Sequence, residues 1–225
     1  DGQIALAGGY FKGTLNDQPL PFYRTITVKD GDIIRIGNVI FGTRTYLAVR
    51  GTIVEEKWLG SHSSVNIYME KFGLESHFSN GRMVEYQARP PIEKRLIERA
   101  KHPIHAECAI VRTTSGPDFE KFPIEVVQEF YEKIFTVSNE YNRMGYKLNE
   151  ALGSFISNKE SISSGILPGT IQVTNEGKPI ILMRDAQTTG GYPRIANVVE
   201  EDIDLVAQLK QGNELKFILQ GKNDQ

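Results

Sequence analysis

The chain has 225 residues, of which 40% are hydrophobic and 24% are charged, and its formal net charge is −2. This length suits one large domain or two small ones, and the composition is ordinary for a soluble globular protein. The small net charge argues against a nucleic-acid-binding protein, which usually carries a basic patch. No apolar run approaches the ~18 residues of a transmembrane helix, so we expect no membrane partner.

The chain contains a single cysteine, Cys108, which permits no intrachain disulfide and fits a reducing compartment. We therefore expect a cytoplasmic protein. Cys108 begins an apolar run, which favours an inert thiol. The histidines show no spacing typical of a metal site, so we predict no metal. The glycine spacing and the lysine of a P-loop are also absent, so this chain is not expected to bind ATP through one.

Residues 1–60 are predicted to be β-structure. Short apolar or alternating runs bounded by turn residues indicate strands at 4–7, 25–28, 33–36 and 46–49. Gly8 and Gly9 are predicted to end the first strand, and Asp30-Gly31 is a strong hairpin signal. Pro90-Pro91 then breaks the chain.

Residues 86–103 are predicted to form a helical linker between two units. Apolar side chains in this stretch recur at helical spacing, with charged residues between them. The apolar face consists of Ile92, Leu96, Ile97 and Ala100.

Residues 104–225 combine short strands with two predicted helices. Pro123 suits the start of the first helix, because its missing N–H does no harm there. The inner face of that helix is predicted to hold Ile124, Val127, Phe130, Tyr131 and Ile134. The second helix is predicted at about 201–209. Many short strands with few helices favour a barrel or sandwich over a parallel sheet.

Chemically diverse side chains follow the apolar strand predicted at 180–183. The sequence R-D-A-Q-T-T-G-G-Y-P at 184–193 offers a guanidinium, a carboxylate, an amide, hydroxyls and a phenol. A loop whose polar side chains cap their own backbone would have a similar composition. The functional hypothesis makes Asp185 an acid, a base or an anchoring group.

Further motifs accompany this one at ordered spacing. They are G-T-R-T-Y-L-A-V-R-G at 42–51, S-N-E-Y-N-R-M-G at 138–145 and E-S-I-S-S-G-I-L-P-G-T-I-Q-V at 160–173. Together they resemble the signatures of the KipA family. This family is also known as allophanate hydrolase subunit 2, as the biotin-dependent carboxyltransferase-like family or as the C subunit of 5-oxoprolinase. The resemblance runs over nearly the whole chain.

The resemblance implies a mainly β fold of two cyclophilin-like β-barrel units with a few short helices. Residues 1–85 would form the first barrel and residues 104–225 the second. The family's usual N-terminal segment has no counterpart in this sequence. We therefore expect the first barrel to be incomplete.

Arg143 and Asp185 are the predicted catalytic residues. Arg143 carries a permanently charged planar fork suited to a carboxylate, and its alternative role is an ion pair with Asp185 or Glu140. The predicted substrate-binding residues are Gln172, Gln187, Thr188, Thr189, Gly190, Tyr192, Ser163 and Ser164.

The two glutamines suit an amide or lactam, because each side chain offers a paired donor and acceptor. Gln172 alternates with Ile171 and Val173, so it faces solvent or a pocket if those two point into the core. The serines have turn capping as their alternative role, and Tyr192 has packing.

The resemblance implies an enzyme subunit that opens 5-oxo-L-proline to L-glutamate with ATP hydrolysis. Its partners would be a KipI-like protein and a LamB/YcsF-like subunit, and the complex would bind the ATP. One alternative is a carboxyltransferase-like domain that acts on urea or a similar amide with carboxybiotin. Biotin would then come from elsewhere, because the chain has no A-M-K-M acceptor motif. The other alternative is a non-enzymatic antagonist of KipI, which inhibits a sensor histidine kinase.

Overall fold

The computed structural model describes residues 2–55, 57–63, 77–98, 108–153 and 163–220. The chain divides into two compact units. The first comprises Asp1–Ala7, Gly13–Arg35 and Tyr46–Ala100, and the second comprises Gly8–Lys12, Ile36–Thr45 and Lys101–Gln225. The domain boundaries inferred from the sequence stay a prediction.

The strands before residue 99 are β1 (Gly2–Leu15), β2 (Gln18–Pro19), β3 (Ile26–Val28), β4 (Ile34–Val49), β5 (Gly51–Ile53) and β6 (Tyr86–Ala88). β1 pairs with β2, β3 and β4 in a four-stranded sheet, and β5 and β6 form an antiparallel ribbon. The turn between β1 and β2 holds Asn16 and Asp17 at φ of 50° and 64°. Asn and Asp tolerate this left-handed conformation better than other residues with side chains. A closed barrel in the first unit stays a prediction.

Two predictions for this part of the chain are wrong. β1 does not end at the glycine pair, because Gly8 adopts a φ of 99° and the strand continues to Leu15. Residues 92–98 are not helical. Their backbone pairs with an extended segment instead: Thr25 N donates to Arg95 O at 2.9 Å, and Leu96 forms a β-bridge with Arg24. Residues 99–103 of the predicted linker lie outside the described residues.

The second unit contains the remaining elements. They are β7 (Cys108–Ser115), a 3-10 turn (Phe119–Lys121), α1 (Ile124–Glu132), β8 (Ile134–Tyr141), β9 (Gly145–Leu148), β10 (Ser164–Gly165), β11 (Thr170–Val173), β12 (Pro179–Leu182), β13 (Thr189–Gly190), β14 (Arg194–Val198), α2 (Glu200–Val206) and β15 (Glu214–Leu219). Seven strands close into a barrel in the order β11-β12-β9-β8-β15-β7-β14. The prediction of a mainly β fold is confirmed.

The barrel interior is a continuous apolar core. Phe130 of α1 stacks on Phe217 of β15 with ring centroids 4.6 Å apart, and Phe135 of β8 packs against both. The predicted inner face of α1 is partly wrong. Val126, Val127 and Phe130 are buried, whereas Ile124 and Ile134 are exposed, and Ile134 begins β8 instead of lying on the helix. Ile124 is the first residue of the helix, and the buried face runs through positions three and four residues apart after it.

Candidate functional site

A hairpin and a turn meet at one end of the barrel. The hairpin joins β8 to β9, and the turn follows β12. β9 and β12 pair with Gly145 opposite Leu182, and two hydrogen bonds extend the pairing. Met183 N donates to Met144 O at 3.0 Å, and Asp185 N donates to Arg143 O at 2.9 Å. This register brings the two predicted catalytic residues together.

Arg143 and Asp185 form a two-contact ion pair. Arg143 Nε lies 2.7 Å from Asp185 Oδ2, and Nη2 donates to Oδ1 at 3.2 Å. The side chain of Asp185 is 26% exposed and that of Arg143 is 56% exposed. The alternative foreseen for Arg143, an ion pair with Asp185, is therefore present. Their catalytic role stays a prediction.

A cavity of about 300 Å³ lies beside this pair. Asn142 and Met144, which flank Arg143, line it, and so does Gln187, two residues after Asp185. The full lining is Glu140, Asn142, Met144, Gly145, Lys147, Gln172, Ile180, Leu182, Gln187 and Tyr192. The ion pair is thus next to the cavity without forming its wall.

The cavity lies on the outer surface of the barrel. The cross-strand partners Lys147, Ile180 and Gln172 form a row over three adjacent strands. The neighbouring row, which includes Tyr146 and Ile171, is fully buried in the barrel core. Because successive side chains of a strand alternate between faces, the first row points away from the core.

Gln172 is the buried polar group of this cavity. Its exposed fraction is 1%, although it points away from the barrel interior. Its Nε2 donates to Tyr192 O at 3.3 Å. Among the described residues, no side chain or backbone group donates a hydrogen bond to its Oε1. None of the buried side-chain oxygen and nitrogen atoms of the described residues lacks a hydrogen-bond partner, so Oε1 reaches the open space of the cavity, where a ligand that carries a donor can bind it.

Three of the predicted substrate-binding residues converge on the cavity. Gln172 and Gln187 bring two primary amides, and Tyr192 adds a partly exposed phenol. These groups, together with the apolar side chains of Ile180 and Leu182, can bind a small molecule that carries an amide.

The remaining predicted residues lie on a short ribbon outside the cavity lining. β10 and β13 pair with Ser164 opposite Gly190, and Ile166 N donates to Thr188 O at 3.1 Å. The residues in this group without cavity contact are Ser163, Ser164, Thr188 and Thr189. Gly190 touches the site indirectly, because a Cβ atom there would lie 2.8 Å from Gln172 Nε2. Residues 160–162 of the corresponding motif lie outside the described residues.

The sequence reasoning missed Lys147 and its partner Glu140 as cavity residues. Lys147 Nζ lies 2.9 Å from Glu140 Oε1, and this hydrogen bond raises the pKa of the lysine above its ordinary value. The alternation of side chains along the strand is the sequence pattern that could have identified Lys147. Lys147 lies between the buried residues Tyr146 and Leu148, so it must share the outer face with Gln172.

A second cavity, of about 430 Å³, lies elsewhere in the second unit. Its lining is mostly apolar and includes Cys108, whose pKa is raised by burial. Gln208 also lines it, but its amide is already used. Its Oε1 accepts from the backbone N–H groups of Thr43 and Arg44, and its Nε2 donates to Arg44 O. None of the predicted site residues lines this cavity.

Two other features are absent from the described ranges. No cluster of three or more His, Cys, Asp or Glu side chains there could hold a metal ion. In the same part of the chain, no helix is both long enough and apolar enough to cross a membrane.

Comparison with known proteins finds relatives over nearly the whole chain. Over 221 residues the chain is 33% identical to the C subunit of 5-oxoprolinase from Escherichia coli, covering 97% of this chain and 69% of that protein. It is 28% identical to "Urea amidolyase" of Lachancea kluyveri, covering 96% of this chain and 13% of that protein. The crystal structure of K. lactis urea amidolyase superposes with a TM-score of 0.82 at 25% identity, covering 98% of this chain and 14% of that one.

The model of one protein family, described as "Carboxyltransferase domain, subdomain A and B", matches residues 1–219. That match spans almost the whole sequence, including the ion pair, the cavity and the closed barrel. The chain therefore belongs to the carboxyltransferase domain, subdomain A and B, family.

Proposed function

We propose that this chain is a subunit of an ATP-dependent 5-oxoprolinase, which converts 5-oxo-L-proline to L-glutamate. Its partners in the proposal are a KipI-like protein and a LamB/YcsF-like subunit, and the complex works in the cytoplasm. The observation that carries the proposal is the 33% identity to the C subunit of the E. coli 5-oxoprolinase over 97% of this chain.

The cavity supports the proposal chemically. A lactam has one N–H donor and one carbonyl acceptor held in a fixed ring. The Oε1 of Gln172 can accept from the lactam N–H, and the exposed amide of Gln187 can donate to the lactam carbonyl. Both glutamines line the same small cavity, so one ring can reach both.

The neighbouring ion pair supplies the group proposed for acid–base chemistry. Asp185 follows β12 at the edge of the cavity, and Arg143 fixes its carboxylate through two contacts. A carboxylate held in this way is oriented before the substrate arrives. ATP supplies the free energy for opening a stable amide, and in the proposal the complex binds ATP rather than this chain alone.

The test is reconstitution. The full chain is co-expressed with KipI-like and LamB/YcsF-like partners, and glutamate release from 5-oxo-L-proline is measured with and without ATP. Release that needs ATP and all three chains is the expected result. No release from a complex that assembles stably would contradict the proposal.

A second candidate function is a carboxyltransferase-like domain that acts on urea or a similar amide. The similarity to the L. kluyveri urea amidolyase over 96% of this chain favours it. The side-chain amides of Gln172 and Gln187 also suit the ureido ring of biotin, which has the same donor and acceptor types as a lactam. Carboxybiotin would supply the carboxyl group. Consumption of urea in place of 5-oxo-L-proline by the assembled complex is the result that would favour this candidate.

A further inference from the structure

The outer row of the barrel carries a cation and a primary amide, one on each side of an apolar residue. Lys147 lies on β9, Ile180 on β12 and Gln172 on β11, each directly opposite the next. Adjacent strands are about 4.8 Å apart, so Lys147 and Gln172 start about 10 Å apart. Their side chains extend from that row and both line the cavity. A small molecule placed over Ile180 can therefore reach both groups.

We propose that Lys147 binds the carboxylate of the cavity's ligand while Gln172 binds its amide, so that the site selects small amides that are also carboxylic acids. The inference rests on the proposed function and identifies Lys147 as the residue that recognises the carboxylate of the substrate.

Lys147 is better placed for this role than Arg143. Arg143 is not part of the cavity wall, and both of its contacts go to Asp185, whose side chain is 26% exposed. Lys147 does line the cavity and has a single contact to a carboxylate. Arg143 therefore pairs with Asp185 outside the cavity wall, whereas Lys147 lines the space where a ligand would bind.

Glu140 does not block this role. It also lines the cavity, but its side chain is 65% exposed, against 26% for Lys147, so its carboxylate can turn towards water. An ammonium group has three N–H donors, and one of them serves Glu140. The others are available for a ligand carboxylate. In the free protein Glu140 neutralises the lysine, and a ligand carboxylate can share Nζ or displace Glu140 into water.

The experiment compares an acidic lactam with a neutral one of the same ring. Binding of 5-oxo-L-proline and of 2-pyrrolidinone to the full chain is measured by calorimetry without ATP. The variants are Lys147→Met, which keeps the aliphatic length, and Lys147→Arg, which keeps the charge. Lys133→Met is the matched control, because Lys133 is 30% exposed and pairs with Glu129 away from the cavity.

We expect Lys147→Met to bind 5-oxo-L-proline about tenfold more weakly, since a charged hydrogen bond is lost, and to bind 2-pyrrolidinone as the wild type does. Lys147→Arg should restore most of the affinity, and Lys133→Met should bind like the wild type. In the wild type, higher salt should weaken binding of the acid but not of the neutral lactam.

Equal binding of the acid by wild type and Lys147→Met would overturn the inference, as would no binding of the acid by the wild type. These outcomes are separate from the fate of the proposed function. Lysine-dependent binding without ATP-dependent glutamate release would reject the enzymatic proposal alone. Release that is unchanged by Lys147→Met would reject the role of the lysine alone.

Discussion

Gly190 lies directly against the side chain of Gln172: a Cβ atom built on Gly190 would be 2.8 Å from Gln172 Nε2 and 3.2 Å from Ile166 Cδ1. A real Cβ at that distance would force the amide to move. The ribbon of β10 and β13 therefore holds the buried amide in place through a residue without a side chain, and a methyl group there would disturb the cavity.

Gly190→Ala should weaken lactam binding about tenfold or more, because the displaced amide no longer presents the same donor and acceptor. Gly165→Ala is the matched control. Gly165 lies on the same ribbon, and a Cβ there would meet nothing within 4 Å. The measurement is calorimetric titration of both variants with 5-oxo-L-proline. Equal affinities for the two variants would contradict the contact between Gly190 and the site.

Asp185→Ala should abolish ATP-dependent glutamate release in the reconstituted complex. The effect on stability should be about 1 kcal/mol or less, because the pair with Arg143 is partly exposed. Arg184→Ala serves as control, since it removes the neighbouring exposed pair with Glu200. Glutamate release at the wild-type rate by Asp185→Ala would contradict the catalytic role of Asp185.

Gln172→Leu should fold with a free energy of unfolding within about 1 kcal/mol of the wild type, because Gln172 has one weak hydrogen bond to lose. Gln3→Leu is the variant for comparison. Gln3 is also buried, but its amide exchanges two hydrogen bonds of 2.9 Å with the backbone of Ile92. Its replacement should cost about 1–3 kcal/mol. Denaturant titration of both variants checks the difference, and equal losses would show that Gln172 is structural.

Asp118 should make the second unit sensitive to acid. Burial acts to raise the pKa of its carboxyl, but hydrogen bonds from Arg194 and Lys121 outweigh burial and lower the pKa from 3.8 to about 2. A group with a lowered folded-state pKa stabilises the fold above its unfolded pKa, and this contribution disappears as the pH falls. Stability should therefore decline between about pH 4 and pH 2.

Asp118→Asn should lower the free energy of unfolding at pH 7 by about 2 kcal/mol and make the decline below pH 4 shallower. Asp17→Asn is the control, because it removes an exposed pair with Arg35. Chemical denaturation over a pH series measures both effects. A wild-type slope retained in Asp118→Asn would contradict the assignment.

Strand alternation explains how much of the site the sequence could predict. The sequence predicted Arg143 and Asp185 as catalytic residues, with an ion pair between them as the alternative, and the pairing of β9 with β12 brings them together. Alternation placed Gln172 opposite to its apolar neighbours. It could not show whether that outer face meets solvent or a cavity, because this depends on which segments cover the strand.

Lys147 was missed for the same reason. Its neighbours on β9 are buried, so the sequence assigns it to the outer face, where most lysines are simply solvated. Only the cross-strand row with Ile180 and Gln172 distinguishes Lys147 from such solvated lysines. The wrong helix at residues 92–98 has a related cause. The local spacing of apolar residues favoured a helix. In the fold, however, this segment pairs with Arg24 and Thr25, which are distant in the sequence.

We propose that the cavity around Gln172 is the substrate site of a 5-oxoprolinase subunit. The most direct test measures ATP-dependent glutamate release by the reconstituted complex containing either the wild-type chain or Gln172→Leu. We expect release by the wild type, and a loss of at least tenfold for Gln172→Leu in complexes that assemble equally well. Undiminished release by the Gln172→Leu complex would contradict it.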